Sequence, residues 1–87
     1  MPKIEKEIII KNAQGLHARP AAIFVQTASK FQSGINISKD GDKVNGKSIM
    51  GILMLAAQRG SKVTLEADGD DAEQAIDELS ALLEKDG

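Results

Sequence analysis

The sequence predicts an α+β domain, an open-faced sandwich in which a four-stranded antiparallel sheet carries three helices on one face, in the order β-α-β-β-α-β-α. Segments in which apolar and polar residues alternate, as in half-buried strands, are interleaved with segments of helical apolar spacing. Strands with a single apolar face suit an antiparallel sheet that is covered on one side. Because 41% of the 87 residues are hydrophobic, residues 1–87 are expected to form one small domain.

The first strand and helix follow from local patterns. A strand is expected over Met1–Lys11, because Ile4, Ile8 and Ile10 share one parity and polar residues take most of the other positions. A loop, in which Leu16 can enter the core and fix the entry angle of the chain, then leads to a helix over Ala18–Ser29, whose apolar residues recur at helical spacing.

The three remaining strands follow from alternation and turn residues. A hairpin is predicted from two strands, Gly34–Lys39 and Asp42–Asn45, and the last strand is predicted over Ser61–Asp68. Asp40 and Gly41 fit the centre of the hairpin turn, where both residues adopt positive φ.

Two further helices are predicted. The first is strongly apolar and covers Ser48–Ala57, with Arg59–Gly60 as its C-terminal stop. The second runs to about Lys85, and Asp70 and Glu73 stand at the spacing of a capping box at its start. Its buried stripe is predicted to consist of Ala72, Ala75, Ile76, Leu79, Leu82 and Leu83.

Composition argues against several classes of function. A net charge of −2 and only two aromatic residues do not suit nucleic-acid binding. A single histidine and no cysteine argue against a zinc site or a disulfide, and no motif calls for a cofactor. The longest apolar run, Ile49–Ala57, is too short to span a membrane, and the first residues lack the layout of a signal peptide. A cytoplasmic protein is therefore expected.

The only histidine, His17, lies at the predicted start of the first helix. A helix N-terminus has unbonded N–H groups and a partial positive charge, and both favour an anion. Gly15 and Leu16 supply no side-chain oxygen that could cap these groups, and Pro20 fits the first turn. Arg19 adds a planar cation that can hold a phosphate through two parallel hydrogen bonds.

Two interpretations of this stretch remain open from the residues alone. In one, His17 carries a phosphoryl group that the backbone of Ala18 and the side chain of Arg19 hold. In the other, His17 is a partly exposed cap histidine beside a solvated arginine.

Two separated motifs carry a resemblance to a known family. The first motif is Gly15–Ala21, with the sequence Gly-Leu-His-Ala-Arg-Pro-Ala, and it resembles the active-site motif of HPr. The second motif is Lys47–Gly51, with the sequence Lys-Ser-Ile-Met-Gly, and it resembles the regulatory motif of HPr. HPr is the phosphocarrier of the bacterial phosphoenolpyruvate-dependent phosphotransferase system (PTS). The length and element order also resemble that family from end to end. The resemblance implies that His17 accepts a phosphoryl group from enzyme I on Nδ1 and passes it to IIA proteins or domains, with Arg19 as partner of the phosphate. It also implies a protein substrate rather than an enzyme, with no cofactor.

A second site is implied at Ser48. By position alone this serine is predicted to cap the second helix. The resemblance makes it a regulatory serine that an ATP-dependent HPr kinase/phosphorylase phosphorylates, with a transcriptional regulator as a further partner. We expect a monomer. The residues expected to contact its partners are Leu16, Lys47, Met50 and Leu53.

Two alternatives to the phosphocarrier are considered from the sequence. One is a regulatory interaction module that binds kinases or regulators in a phosphorylation-dependent way. The stretch Leu53–Gly60 departs from the sugar-uptake members and resembles regulatory and nitrogen-type relatives, which leaves the downstream acceptor open but not the phosphocarrier chemistry. The other is a small hydrolase with His17 as base, but no nucleophile or orienting carboxylate accompanies the motif.

Overall fold

Residues 3–85, which the computed structural model of the protein describes, form four strands and three helices in the predicted order. Met1, where the first predicted strand begins, lies outside the described residues. The elements are β1 (Lys3–Ile9), α1 (Ala18–Ser29), β2 (Gly34–Lys39), β3 (Asp42–Asn45), α2 (Ile49–Leu55), β4 (Lys62–Asp68) and α3 (Ala72–Glu84).

The strands form one antiparallel sheet with the order β1-β4-β2-β3. The register pairs Ile8 with Val63 and Ile37 with Leu65, so the apolar side chains of neighbouring strands lie on the same face. The helices cover this face, and polar side chains dominate the other. The predicted α+β open-faced sandwich is confirmed.

The core lies between the sheet and the helices, with Phe24 of α1 fully buried in it. Leu82, from the predicted stripe of α3, is only partly buried. Within residues 3–85, no helix is both long and apolar enough to cross a bilayer. The largest fully buried apolar side chains are Phe24, Ile8, Ile10, Leu16, Ile35, Ile37, Ile52, Leu65, Leu79, Leu83 and Val63.

The hairpin turn has the predicted geometry, whereas the end of α2 does not. Asp40 and Gly41 have φ angles of 53° and 86°, as this type of turn requires. The stop predicted at Arg59–Gly60 is wrong, because α2 ends at Leu55. Its cap is Ala56, which takes the left-handed conformation that glycine usually supplies (φ 53°) and donates its N–H to the carbonyl of Leu53.

The start of α3 is also held differently from the prediction. Its N-cap is Asp71 rather than Asp70, and the side chain of Asp71 caps nothing in its own helix. The carboxylate instead accepts the N–H groups of Gln32 and Ser33 and the hydroxyl of Ser33. The Ser33 hydroxyl and the Gln32 N–H lower the pKa of Asp71. Asp71 therefore fixes the chain after α1 to the start of α3.

A charged cluster centred on Glu66 lies on the uncovered face of the sheet. The Glu66 carboxylate is 3.2 Å from the ammonium of Lys3 and 3.3 Å from that of Lys43, and it accepts the amide of Asn36 at 3.3 Å. Burial alone would raise the pKa of Glu66, but the hydrogen bonds to Glu5, Lys3, Asn36 and Lys43 outweigh burial and lower it to about 2.

The low pKa of Glu66 predicts a pH-dependent contribution to stability. Since the folded pKa lies below the ordinary value of 4.5, the contribution is complete above about pH 4.5 and disappears as pH falls toward 2. Glu66→Gln should lower the free energy of unfolding by about 1 kcal/mol at pH 7 and by almost nothing near pH 2. Urea titrations at both pH values measure this difference. Glu7→Gln removes the same charge from the same face, where Glu7 has no ion pair among residues 3–85, and should change little. Equal destabilisation by Glu66→Gln at both pH values would contradict the assignment.

Candidate functional site

His17 is the N-cap of α1, as the sequence predicts. Its backbone is extended (φ −121°, ψ 153°), its side chain makes no capping hydrogen bond, and the residue is exposed. No acidic residue occupies the first turn of α1. The imidazole is therefore open to a partner at a helix end whose N–H groups are not capped by a side chain.

The backbone is strained at the next residue. Ala18 has a φ angle of +45°, in the left-handed region that an L-residue other than glycine rarely adopts. Such a conformation costs about 1–2 kcal/mol and persists only where the surrounding structure holds it. Sequence reasoning missed this feature, and no local signal could have revealed it, because alanine favours the right-handed helix.

Arg19 lies in the first turn of α1, two residues after His17, and is exposed. Within residues 3–85 its guanidinium makes no hydrogen bond or ion pair, so all its donors are available to an anion. Arg19 also borders a groove of about 350 Å³ between α1 and the end of α3. The groove is lined in addition by Asn12, Gln14, Leu16, Pro20, Ile23, Phe24, Leu82, Leu83 and Lys85.

Leu16 anchors the loop that carries His17. Its side chain is only 1% exposed and belongs to the core. Its N–H donates to the carbonyl of Ala57 at 2.8 Å. The expectation that Leu16 contacts partners is therefore wrong, because a side chain inside the core has no surface to offer.

Ser48 caps α2, as its position predicts. Its Oγ accepts the N–H of Gly51 at 3.1 Å. The neighbouring Lys47 donates its ammonium to the carbonyl of Phe31 at 2.7 Å and its N–H to Oδ1 of Asn45 at 2.8 Å. The bond to Phe31 uses one of the three N–H donors of this ammonium, and docking at Lys47 stays a prediction.

The cap predicts the effect of removing the Ser48 hydroxyl. Ser48→Ala should lower the free energy of unfolding by about 1 kcal/mol, because the N–H of Gly51 loses its acceptor. Chemical denaturation at pH 7 measures the change. Ser48→Asp keeps an acceptor at the same place and should stay close to the unchanged protein. A Ser48→Ala variant as stable as the unchanged protein would show that the cap contributes nothing.

Four large apolar side chains of α2 are exposed, and we call them the α2 patch. The patch comprises Ile49, Met50, Leu53 and Met54, with exposed fractions of 40%, 65%, 40% and 77%. The structure thus leaves the predicted contacts Met50 and Leu53 accessible. It adds Met54, which the sequence did not single out because the apolar residues of this helix run nearly all round it. Adjacent exposed apolar residues mark a surface that proteins bind, and methionine adapts to several partners.

Comparison with known sequences identifies the family. Residues 4–85 match the family model PTS-HPr, the PTS HPr component phosphorylation site. The chain is 51% identical over 82 residues to the HPr-like protein Crh of Halalkalibacterium halodurans, with 94% of this chain and 98% of that protein covered. It is 48% identical over 81 residues to the phosphocarrier protein HPr of Xylella fastidiosa, with 93% and 91% covered.

Solved structures agree with this assignment. The crystal structure of HPr from Bacillus anthracis matches with a TM-score of 0.93 at 46% identity, covering 94% of this chain and 98% of that one. An HPr dimer from Thermoanaerobacter tengcongensis matches with a TM-score of 0.73 at 61% identity, covering 86% of each chain. Because this similar protein is a dimer, the monomer expected for this chain stays a prediction. The predicted family and fold are confirmed. The chain therefore belongs to the HPr family of the phosphotransferase system, whose members are phosphocarrier proteins and not enzymes.

Proposed function

We propose that this protein accepts a phosphoryl group from phospho-enzyme I on Nδ1 of His17 and delivers it to IIA proteins or domains. The observation that carries the proposal is the exposed, uncapped His17 at the N-terminus of α1, with Arg19 two residues on, whose guanidinium has no ion pair or hydrogen bond within residues 3–85. The family membership supports this role. The proposed carrier is a single domain, residues 1–87, that acts in the cytoplasm.

The proposed transfer needs positioning and charge rather than a cofactor. The Nδ1 lone pair forms the new N–P bond while the bond between phosphorus and the donor breaks, and the second transfer repeats these changes toward the acceptor. The Ala18 backbone at the helix start and the Arg19 side chain stabilise the negative phosphoryl oxygens. Because these contacts are not covalent, the phosphoryl group can leave again.

A reconstituted relay tests delivery. The protein is incubated with enzyme I and labelled phosphoenolpyruvate, freed of the donor, and mixed with a purified IIA protein. We expect the label to move to the IIA protein, and His17→Ala to carry no label at either stage. Label that stays on the protein in the presence of several IIA proteins would contradict the carrier role.

Docking and regulation are assigned to the surface around α2. The α2 patch supplies apolar area to enzyme I and the IIA partners, with Met50 and Leu53 as the proposed contacts and Lys47 at its edge. Phosphorylation of Ser48 by an HPr kinase/phosphorylase would add about two negative charges there. The added charge would weaken the docking of an acidic partner and so slow transfer at His17.

The similarity to Crh supports a second candidate function. As a regulatory module, the protein would bind a transcriptional regulator when Ser48 is phosphorylated. Incubation with ATP and an HPr kinase/phosphorylase, with Ser48→Ala as control, tests for the modification, and calorimetry with the regulator tests for binding. Regulator binding that follows Ser48 phosphorylation, together with no transfer at His17, would favour this candidate over the carrier.

We propose a monomer in solution, with the dimer as the alternative. β1 is an edge strand, and Lys6 faces the helix side, where its ammonium donates to Ser80 and lies 3.8 Å from Glu84. An inward-pointing charge discourages a second chain from pairing with an edge strand. Light scattering during size-exclusion chromatography distinguishes the two states by mass.

A further inference from the structure

The loop that carries His17 is fixed on the segment that follows α2. The N–H of Leu16 donates to the carbonyl of Ala57 at 2.8 Å. The side chains of Leu16 and Ala57 are 1% and 0% exposed, so the bond lies at the edge of the core. The residue directly before His17 is therefore held both by its backbone and by its side chain.

Gly15 makes this close approach possible. A Cβ atom at Gly15 would lie 2.7 Å from the carbonyl oxygen of Ala57 and 2.9 Å from the Cα of Gln58. Both atoms belong to backbone, so neither can move aside as a flexible side chain could. Gly15 also has a φ angle of +64°, which favours glycine. Any side chain at this position would strain the loop and push it away from residues 57–58.

The position of this support depends on how α2 ends. We call residues 56–58 the seat. Ala56, with φ 53°, turns the chain out of α2, and Ala57 follows it directly. At the end of the seat, the carbonyl of Gln58 accepts the N–H of Ser61 at 2.9 Å, which closes a turn. The end of α2, the seat and the His17 loop thus form one connected backbone unit.

We propose that Gly15 and the seat are positioning elements for His17, so that the end of α2 sets the direction in which the imidazole meets its partner. The inference rests on the proposed function and deepens it. Neither Gly15 nor Ala57 is assigned a contact with the phosphoryl group, since both act through the backbone of Leu16. A misplaced nucleophile lowers the rate of the bound complex, because reaction needs close alignment of the reacting atoms.

Gly15→Ala tests the proposal, with Gly41→Ala as its matched control. Both glycines have positive φ, but a Cβ at Gly41 meets nothing within 4 Å. With phospho-enzyme I as donor, we expect Gly15→Ala to lower kcat by roughly 10- to 100-fold with KM changed little. Gly41→Ala should transfer at the unchanged rate. Both variants are compared well below their melting temperatures, so that both are folded. A merely structural loss would not lower kcat while leaving KM nearly unchanged.

Ala56→Val keeps the proposal testable if Gly15→Ala fails to fold. Ala56 is exposed and outside the phosphoryl site, but a β-branched residue opposes its left-handed φ. We expect a several-fold lower kcat, whereas Asp40→Val, at the same φ of 53° in the hairpin, should leave kcat unchanged. Folded Gly15→Ala or Ala56→Val variants that transfer at the unchanged rate would overturn the positioning role alone. An unchanged protein that takes no label at His17 would overturn the proposed function and, with it, this inference.

Discussion

Arg19→Ala is expected to slow phosphoryl transfer to His17 by about 10²- to 10³-fold while the domain stays folded. The guanidinium is exposed and has no hydrogen bond or ion pair within residues 3–85, so its removal takes no polar interaction from the fold. Its proposed role begins only when the phosphoryl oxygens arrive, and the loss should therefore appear in kcat. Rapid-quench measurement with phospho-enzyme I gives this rate.

Arg19→Lys separates geometry from charge at this position, and Lys62→Ala is the control at another site. Arg19→Lys keeps the charge but loses the planar pair of donors, and an intermediate rate is expected. Lys62→Ala removes one exposed cation from β4 at the start of the strand and should leave the rate unchanged. A folded Arg19→Ala variant with an unchanged kcat, or a rate that falls only in step with folding, would count against the assigned role.

Phe24→Ala is expected to produce the largest loss of stability, about 3–5 kcal/mol. Phe24 is 0% exposed and fills the space between α1 and the rest of the core. Alanine would leave a cavity that the surrounding side chains close only in part. Domains of this size have a total stability of roughly 5–15 kcal/mol, so a substantial part of it would be lost. Urea denaturation at pH 7 measures the change.

The neighbouring Ile23 provides the control for this prediction. Ile23 lies on the same helix but is 40% exposed, so Ile23→Ala should cost less than about 1 kcal/mol. Similar losses for the two variants would mean that helix propensity or the unfolded state, rather than core packing, decides the stability of α1.

Elements marked by local signals were predicted closely from the sequence. The bounds of α1 and of the hairpin strands agree with the prediction, because turn residues such as Asp40 and Gly41 act on their immediate neighbours. The position of His17 at the start of α1 follows from the same kind of signal. Its chemistry did not, because one histidine at a helix end is also compatible with a plain cap.

Features set by distant contacts were not predictable. Alanine gives no sign that it will end a helix, yet Ala56 does so next to the seat that holds Leu16. The spacing of Asp70 and Glu73 suggested a local cap, but Asp71 instead binds backbone N–H groups almost forty residues away in sequence. Leu16 reads equally well as a core residue or as an exposed contact until its burial is known.

The most direct test of the central claim is the intact mass of the protein after incubation with phosphoenolpyruvate and enzyme I. We expect a gain of one phosphoryl group on the unchanged protein, its loss after brief acid treatment, and no gain on His17→Ala. Acid stability of the group, or the same gain on a folded His17→Ala variant, would contradict His17 as the carrier. His17 as the carrier would also be contradicted if the unchanged protein gained no phosphoryl group while the same enzyme I phosphorylated an HPr protein used as a control.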